Sequence, residues 1–381
     1  MLTDRFILAA ILFSGALCGC GSPVVSTTGG GGSGGGGGGD KQVGFPLITT
    51  VNAQNGAPLV TIHSPTLGAT IAYTLDGTTP YQNTASTIIY QAPFLVASNL
   101  TVTAIATAPG LAASAINTAP FTPNIPSNTL VWSDEFSNST AAIAQPNPLT
   151  WTYDTGPGAS CCGNHELENY CAWGATASPC NPANPNVYED TSGILHIVAR
   201  QPSTGIYTSG RIKTEGLFSF QYGRIEARMK LPESQGMWPA FWLLGNSVTT
   251  INWPACGEID IMEHIDGSNP KSEGFDWVQG TLHGTNLGSG IQYHPTGFSA
   301  ADWHTYGMIW TKGQIQFYVD SPSNIYATFT PTTQAGTWPF DAGPQFILLN
   351  LAVGGDWPGP PNAQTQFPSE VLADYVRVYT N

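Results

Sequence analysis

The chain has 381 residues, only 9% of them charged, and its 25 Asp+Glu against 11 Lys+Arg give a formal net charge of −14. That balance excludes a nucleic-acid binder or a protein drawn to anionic lipid, since either needs a basic face, and it suits a neutral polysaccharide partner. With 44 Gly and 30 Pro the chain is turn-rich, and no long helical period runs through it.

At the N-terminus, Arg5 precedes an apolar run from Phe6 to Leu17, too short to span a bilayer and suited to an export signal. The run ends in Leu17-Cys-Gly-Cys20, which looks like a bacterial lipobox. Residues 1–19 are then a lipoprotein signal peptide and Cys20 the lipidated residue, which predicts an address at the bacterial cell surface or outer membrane. Cys18 at its second position is unusual, and ordinary secretion after cleavage nearby is the alternative. Residues 20–43 read as a tether, because the stretch Thr27 to Gly39 is almost all glycine and buries nothing.

Residues 44–124 read as a separate small Ig-like β-sandwich with almost no charge beyond Asp76. Its runs are rich in Thr, Val, Ile and Ala, and Asp76-Gly77 is a hairpin turn signal between alternating segments. With the core Tyr73-Thr-Leu-Asp-Gly-Thr-Thr-Pro80, a later Tyr90 and the closing run Thr101 to Ala106, the region resembles the module at the C-terminus of chitobiase-type hexosaminidases. The resemblance implies an accessory or spacer role, with carbohydrate binding less favoured because the region holds no Trp.

From 128 to 381 the runs remain short, β-branched or aromatic, and separated by Gly, Pro and Asn turns, as in Ile194 to Ala199, Ile315 to Val319 and Phe346 to Leu351. The fold class is all-β. Five cysteines follow Cys20: Cys161, Cys162, Cys171, Cys180 and Cys256. The Cys161–Cys180 cluster lacks zinc-finger spacing, which favours disulfides in an oxidising exterior. Adjacent Cys161 and Cys162 rarely bond to each other, so one or both are expected to reach Cys171, Cys180 or Cys256.

The segment Trp253-Pro-Ala-Cys-Gly-Glu-Ile-Asp-Ile-Met-Glu-His264 places Glu258, Asp260 and Glu263 inside an apolar stretch. Burying three like charges is costly unless chemistry uses them. Side chains alternate along a strand, so Glu258 and Asp260 share a face, and Glu263 joins them only if one extra residue near Ile261-Met262 forms a β-bulge. Ile259 and one of Ile261 or Met262 then face the core. Two carboxyls flanking a sugar are the machinery of glycoside hydrolysis, and a third between them can push their pKa values apart. Regular strand steps put the two Glu Cα atoms about 13 Å apart, so their side chains must converge on a concave sheet. A metal site or a solvated edge strand is the alternative for these acids alone.

This segment resembles the active-site signature of glycoside hydrolase family 16, in its bacterial laminarinase-like branch. Further matching segments follow in the family's order: Trp132 to Phe136, Gly223 to Lys230, Gly236 to Gly245, Gly280 to His283, His304 to Trp310, Asn350 to Gly355 and Asp374 to Tyr379. The resemblance implies a β-jelly-roll sandwich with a sugar cleft on its concave face. It implies Glu258 as nucleophile, Glu263 as general acid/base and Asp260 as the assisting carboxylate, in an endo-acting, retaining cleavage of β-1,3-glucan by a monomer that needs no cofactor for catalysis. Asn164, Arg211, Trp238, Trp242 and His283 match positions that contact substrate in the family. Core tryptophans, surface polar residues and a strand histidine are the alternatives. A structural calcium, held by Glu135, Gly193 and Asp374, is also implied; oxygen-only ligation suits that ion. Mixed-linkage β-1,3-1,4-glucan or another polysaccharide is the rival substrate. A non-catalytic glucan-binding lectin is the rival class, though such chains have lost the carboxylates that this one keeps.

Overall fold

The computed structural model describes residues 41–80, 86–137, 140–158, 163–266 and 274–381. The signal peptide, Cys20 and the glycine run lie outside these residues, as do Cys161 and Cys162.

Two large sheets face each other across one core. In the first, the strands run in the order Leu47–Asn52, Pro58–His63, Phe94–Val96, Ser219–Gln221, Gln345–Val353, Met237–Gly245, Glu258–Glu263, Val278–Gly284 and Leu287–Tyr293. In the second, Leu195–Ser203, Ser369–Tyr379, Gly223–Lys230, His304–Thr311, Gln314–Val319 and Ile325–Phe329 are successive neighbours. Leu130–Asp134 pairs with Ser369–Tyr379, so the two ends of the 128–381 region lie side by side. The all-β sandwich predicted from the short alternating runs is what forms.

The central strand shows why. All nine residues of Gln345–Val353 are buried, yet the period of two still sorts them. Ile347, Leu349, Leu351 and Val353 enter the core between the sheets, while Phe346, Leu348, Asn350 and Ala352 line a cleft on the opposite face. The neighbouring strand repeats the pattern, with Phe241 and Leu243 inward and Trp238 and Trp242 on the cleft face. Trp238 and Trp242 are therefore cleft residues and not core tryptophans.

The region expected as a separate sandwich is bonded into the first sheet. Thr70–Thr74, Ile88–Ile89, Leu100–Thr107 and Asn117–Phe121 form a small sheet of their own over a second core that includes Val60, Tyr73 and Val102. Phe94–Val96, however, pairs in parallel with Ser219–Gln221. Its alternation serves both cores: Phe94 and Val96 pack into the small one, Leu95 and Ala97 into the large one. Residues 41–381 accordingly form one compact unit. No composition signal distinguishes a strand that ends a module from one that joins its neighbour.

Candidate active site

The three acids lie on Glu258–Glu263, one strand from the centre of the first sheet, and the bulge forms where the spacing requires it. On one side Phe241 pairs with Met262 and Trp242 with Asp260, leaving Ile261 without an opposite residue. On the other, Asp260 pairs with Thr281 and Glu263 with Gln279. The extra residue is absorbed and Glu263 returns to the cleft face. Ile259, Ile261 and Met262 all lie in the main core, so the expectation that only one of Ile261 and Met262 would be inward is corrected; the bulge turns both the same way. Gly257 precedes the strand at φ +83, a conformation that side chains rarely adopt, and a Cβ there would come within 2.9 Å of Pro339.

The cleft above the strand has a volume of about 710 Å³, and Glu258, Asp260 and Glu263 all line it. So do the five expected substrate residues, Asn164, Arg211, Trp238, Trp242 and His283. One surface thus gathers residues from sequence positions spread over more than a hundred residues.

Each acid has its own partners. Trp253 Nε1 donates to Glu258 Oε2 over 2.8 Å. His283, paired across the strands with Glu258, brings Nε2 to 3.2 Å from Asp260 Oδ2 and 3.9 Å from Glu258 Oε1. Glu263 is held at both oxygens: Trp238 Nε1 donates to Oε1 over 3.1 Å and Thr281 Oγ1 to Oε2 over 2.9 Å. One polar atom each of Glu258, Asp260 and His283 lies within 4.8 Å of the others.

Electrostatics follow from this crowding. Burial first, then the negative charges of Asp260 and Glu263, push the Glu258 carboxyl well above the ordinary range, while His283 and the Trp253 N–H oppose the rise. Burial and the charge of Glu263 push Asp260 well up, against a hydrogen bond with Glu258. Burial also raises Glu263, against Thr281, His283 and Trp238. Three such groups cannot all ionise together, so the cleft retains protons at a pH where free carboxylic acids have lost theirs.

The far wall of the cleft is charged. Arg211, 5% exposed, lies 4.5 Å over the Tyr170 ring and 5.6 Å over Trp242, and its Nη2 donates to Glu166 Oε2 over 3.4 Å and to the Tyr170 hydroxyl over 3.1 Å. Asn164 Nδ2 donates to Glu166 Oε1 over 3.3 Å. Arg211 is thus fixed behind Trp242, with a structural duty as well as a place in the lining. Trp242 is held from the other side by Asn350 Oδ1, which accepts from its Nε1 over 2.8 Å.

Sequence reasoning passed over several lining residues. Trp253, 57% exposed, has its indole bonded to Glu258, and its place just before the Cys-Gly-Glu turn was the available signal. Trp357 meets Trp238 edge-on with ring centroids 5.3 Å apart. Thr281 stands two residues before His283 on the same strand face, so the period of two pointed to it. Glu166, Lys213 and Asn350 carry no such mark.

Two further groups of residues are arranged differently from the expectation. Gly193 lies against the main-chain carbonyl of Glu135, but the Glu135 carboxylate accepts two bonds from Arg377, at 2.9 and 2.7 Å, and Asp374 Oδ2 accepts from Arg228 at 2.8 Å. Both carboxylates are neutralised by arginine, so these residues as arranged do not fit a calcium ion. Cys171 bonds Cys180 within its own loop, and Cys256 is a buried free thiol whose pKa burial and Glu258 push up to about 12.

Residues 177–377 match the family described as "Glycosyl hydrolases family 16", and residues 60–121 match "Fn3 associated", not the chitobiase-type module that the sequence resembled. The chain is 39% identical over 269 residues to the "Beta-glucanase" of Rhodothermus marinus, covering 66% of this chain and 84% of that protein. It is 35% identical to the "Glucan endo-1,3-beta-glucosidase A1" of Niallia circulans, covering 68% of this chain but only 39% of that longer protein. Among solved structures, the laminarinase catalytic domain of Thermotoga maritima superposes with a TM-score of 0.57 at 36% identity, over 67% of this chain and 99% of that one.

Proposed function

The chain belongs to glycosyl hydrolases family 16 and is a glycoside hydrolase, and from that premise we propose an endo-acting cleavage of β-1,3-glucan with retention at the anomeric carbon. The observation that carries the reading is the placing of Glu258 and Glu263 on one cleft floor beside Trp238 and Trp242, with separate hydrogen-bond partners for each acid. Aromatic faces take the CH faces of sugar rings, and an open cleft admits a chain at its middle.

In the first step a carboxylate oxygen of Glu258 bonds the anomeric carbon while Glu263 gives its proton to the departing glycosidic oxygen. In the second, Glu263, now a carboxylate, takes a proton from water, whose oxygen displaces Glu258 from the same carbon. Asp260, hydrogen-bonded with Glu258 and with Oδ2 3.2 Å from His283 Nε2, crowds the nucleophile on the cleft floor, and Glu258 leaves the anomeric carbon with the bonding electron pair, so it is regenerated as the carboxylate. Two inversions leave the product with the starting configuration.

The test is the purified chain on a panel of laminarin, mixed-linkage β-glucan, agarose and carrageenan, with products sized by chromatography and their anomeric form followed by NMR. Short β-1,3-linked oligosaccharides released as the β-anomer are expected. Preference for mixed-linkage glucan would move the reading to the rival substrate, and binding without cleavage would move it to a lectin.

From residues 1–40 alone we also propose lipidation at Cys20 and a cell-surface address. Metabolic labelling with a fatty-acid analogue should mark the wild-type chain and leave Cys20→Ser unlabelled; unlabelled wild-type protein found wholly in the medium would replace this with simple secretion.

A further inference from the structure

We infer that the N-terminal β module is a positioning element of the catalytic cleft, acting through the segment that carries Trp253; the inference rests on the glycanase reading above. The turn Asn246–Thr249 follows directly from the cleft strand Met237–Gly245. Its far end, Thr249, accepts a hydrogen bond at Oγ1 from Gln91 Nε2 of the module over 2.8 Å. Its near end, Asn246, donates its backbone N–H to Pro344 O over 3.1 Å and its side-chain Nδ2 to Ser219 Oγ over 2.9 Å. Both supports lead back to the module. Ser219 begins the strand that pairs with Phe94–Val96, and Gly343, beside Pro344, has the Ile88 side chain of the module pressed so closely on it that an added Cβ would clash.

From that turn the chain runs to the acid. Thr250 and Ile251 donate their N–H groups to Ser247 O over 2.8 and 2.7 Å, and Gly245 and Gly257 close the base of the excursion with a bond of 3.0 Å. The segment between holds Val248 and Trp253, which line the cleft, and Trp253 is the donor to Glu258. Trp253 is more than half exposed, and its cleft contacts are the bond to Glu258 and a tilted ring contact with His283, centroids 6.0 Å apart. Its carrier is ordered by two turn bonds of its own, from Ala255 N–H to Asn252 O and from Gly257 N–H to Pro254 O at 3.0 Å each, by the hydrogen-bonded base at one end and by the module at the other. A shift of the turn would move a flat aromatic face at one end of the cleft before it disturbed the buried strand beneath.

The experiment uses the full chain and two small changes, Gln91→Ala and Ile88→Val, the second removing the methyl that touches Gly343. For the double variant, KM for β-1,3-oligosaccharides should rise about threefold to fivefold, the scale of one neutral hydrogen bond, with kcat within about twofold. The distribution of product lengths should shift with it. In a Trp253→Ala background the same two changes should have no further effect on KM, because the residue they position is gone. An unchanged KM, or an equal rise in the Trp253→Ala background, overturns the inference. Gln91→Ala alone, a surface change that leaves both cores intact, keeps the test open if Ile88→Val lowers stability. Wild-type activity on the polysaccharide panel tests the glycanase reading separately, and the cycle runs on whichever glycan the wild type cleaves.

Discussion

The indole N–H of Trp238 points at Oε1 of Glu263 over 3.1 Å, so the residue best placed to stack on a sugar also binds the acid that would protonate it. Trp238→Phe keeps the ring face and removes the donor. That donor favours the carboxylate, so its loss raises the pKa of Glu263. Glu263 must be protonated for the first step, and the alkaline limb of the kcat/KM profile should therefore move to higher pH. An unmoved limb would separate Trp238 from proton transfer.

Glu258→Gln keeps the shape of the side chain and its bond from Trp253, but removes the nucleophilic charge. Turnover should fall by at least about 10³-fold, while affinity for oligosaccharide, read by calorimetry, stays near wild type. Residual activity within tenfold of wild type would sink the assignment.

Glu263→Ala should lose about 10²- to 10⁴-fold in turnover. Azide should restore part of it on a substrate with a good leaving group, because a small anion can attack the glycosyl intermediate without a base. NMR of the product should then reveal a β-glycosyl azide; absence of both rescue and adduct argues for another role.

Glu168 offers a test of stability against pH. It is 1% exposed, accepts the Val353 N–H at Oε2 over 2.7 Å, and shares its other side with Glu166, so burial and the Glu166 charge raise its pKa to about 8. The folded state therefore holds a proton that the unfolded chain releases near the ordinary carboxyl value of about 4.3. Stability attributable to this group falls as pH rises from there through about 8. Glu168→Gln mimics the protonated form, so its melting temperature should match wild type at pH 5 and exceed it at pH 9. Equal melting curves at both would mean that Glu168 ionises without cost.

Leu95 tests how deeply the module is fused to the sandwich. It is fully buried in the main core while its neighbours Phe94 and Val96 fill the small one. Leu95→Ala should cost about 2–5 kcal/mol, and residues 41–381 should still melt in a single transition by calorimetry. Two resolved transitions, with only the smaller displaced, would make the module independent.

Much of this site was legible because strand chemistry is local. The period of two and the odd spacing from Glu258 to Glu263 demanded a bulge, and the bulge lies at Ile261. What stayed hidden depends on contacts between distant segments. Nothing in the run Phe94-Leu-Val-Ala97 says that alternate residues enter different cores, and nothing near Arg377 or Arg228 says that they occupy Glu135 and Asp374. Arg211 reads as a sugar ligand by position, yet its partners Glu166 and Tyr170 are dozens of residues away.

Ile261 has no opposite number on Met237–Gly245, so the register of that pair does not depend on it, although its side chain fills the core. Insertion of one residue into a regular strand exchanges the two faces from that point onward; here the change is taken up locally, and the residues after it keep their sides. A chain shortened by one codon at this place would read Glu-Ile-Asp-Met-Glu, regular alternation would return, and all three carboxyls would still face the sugar. The four-residue and five-residue spacings are thus two spellings of one surface.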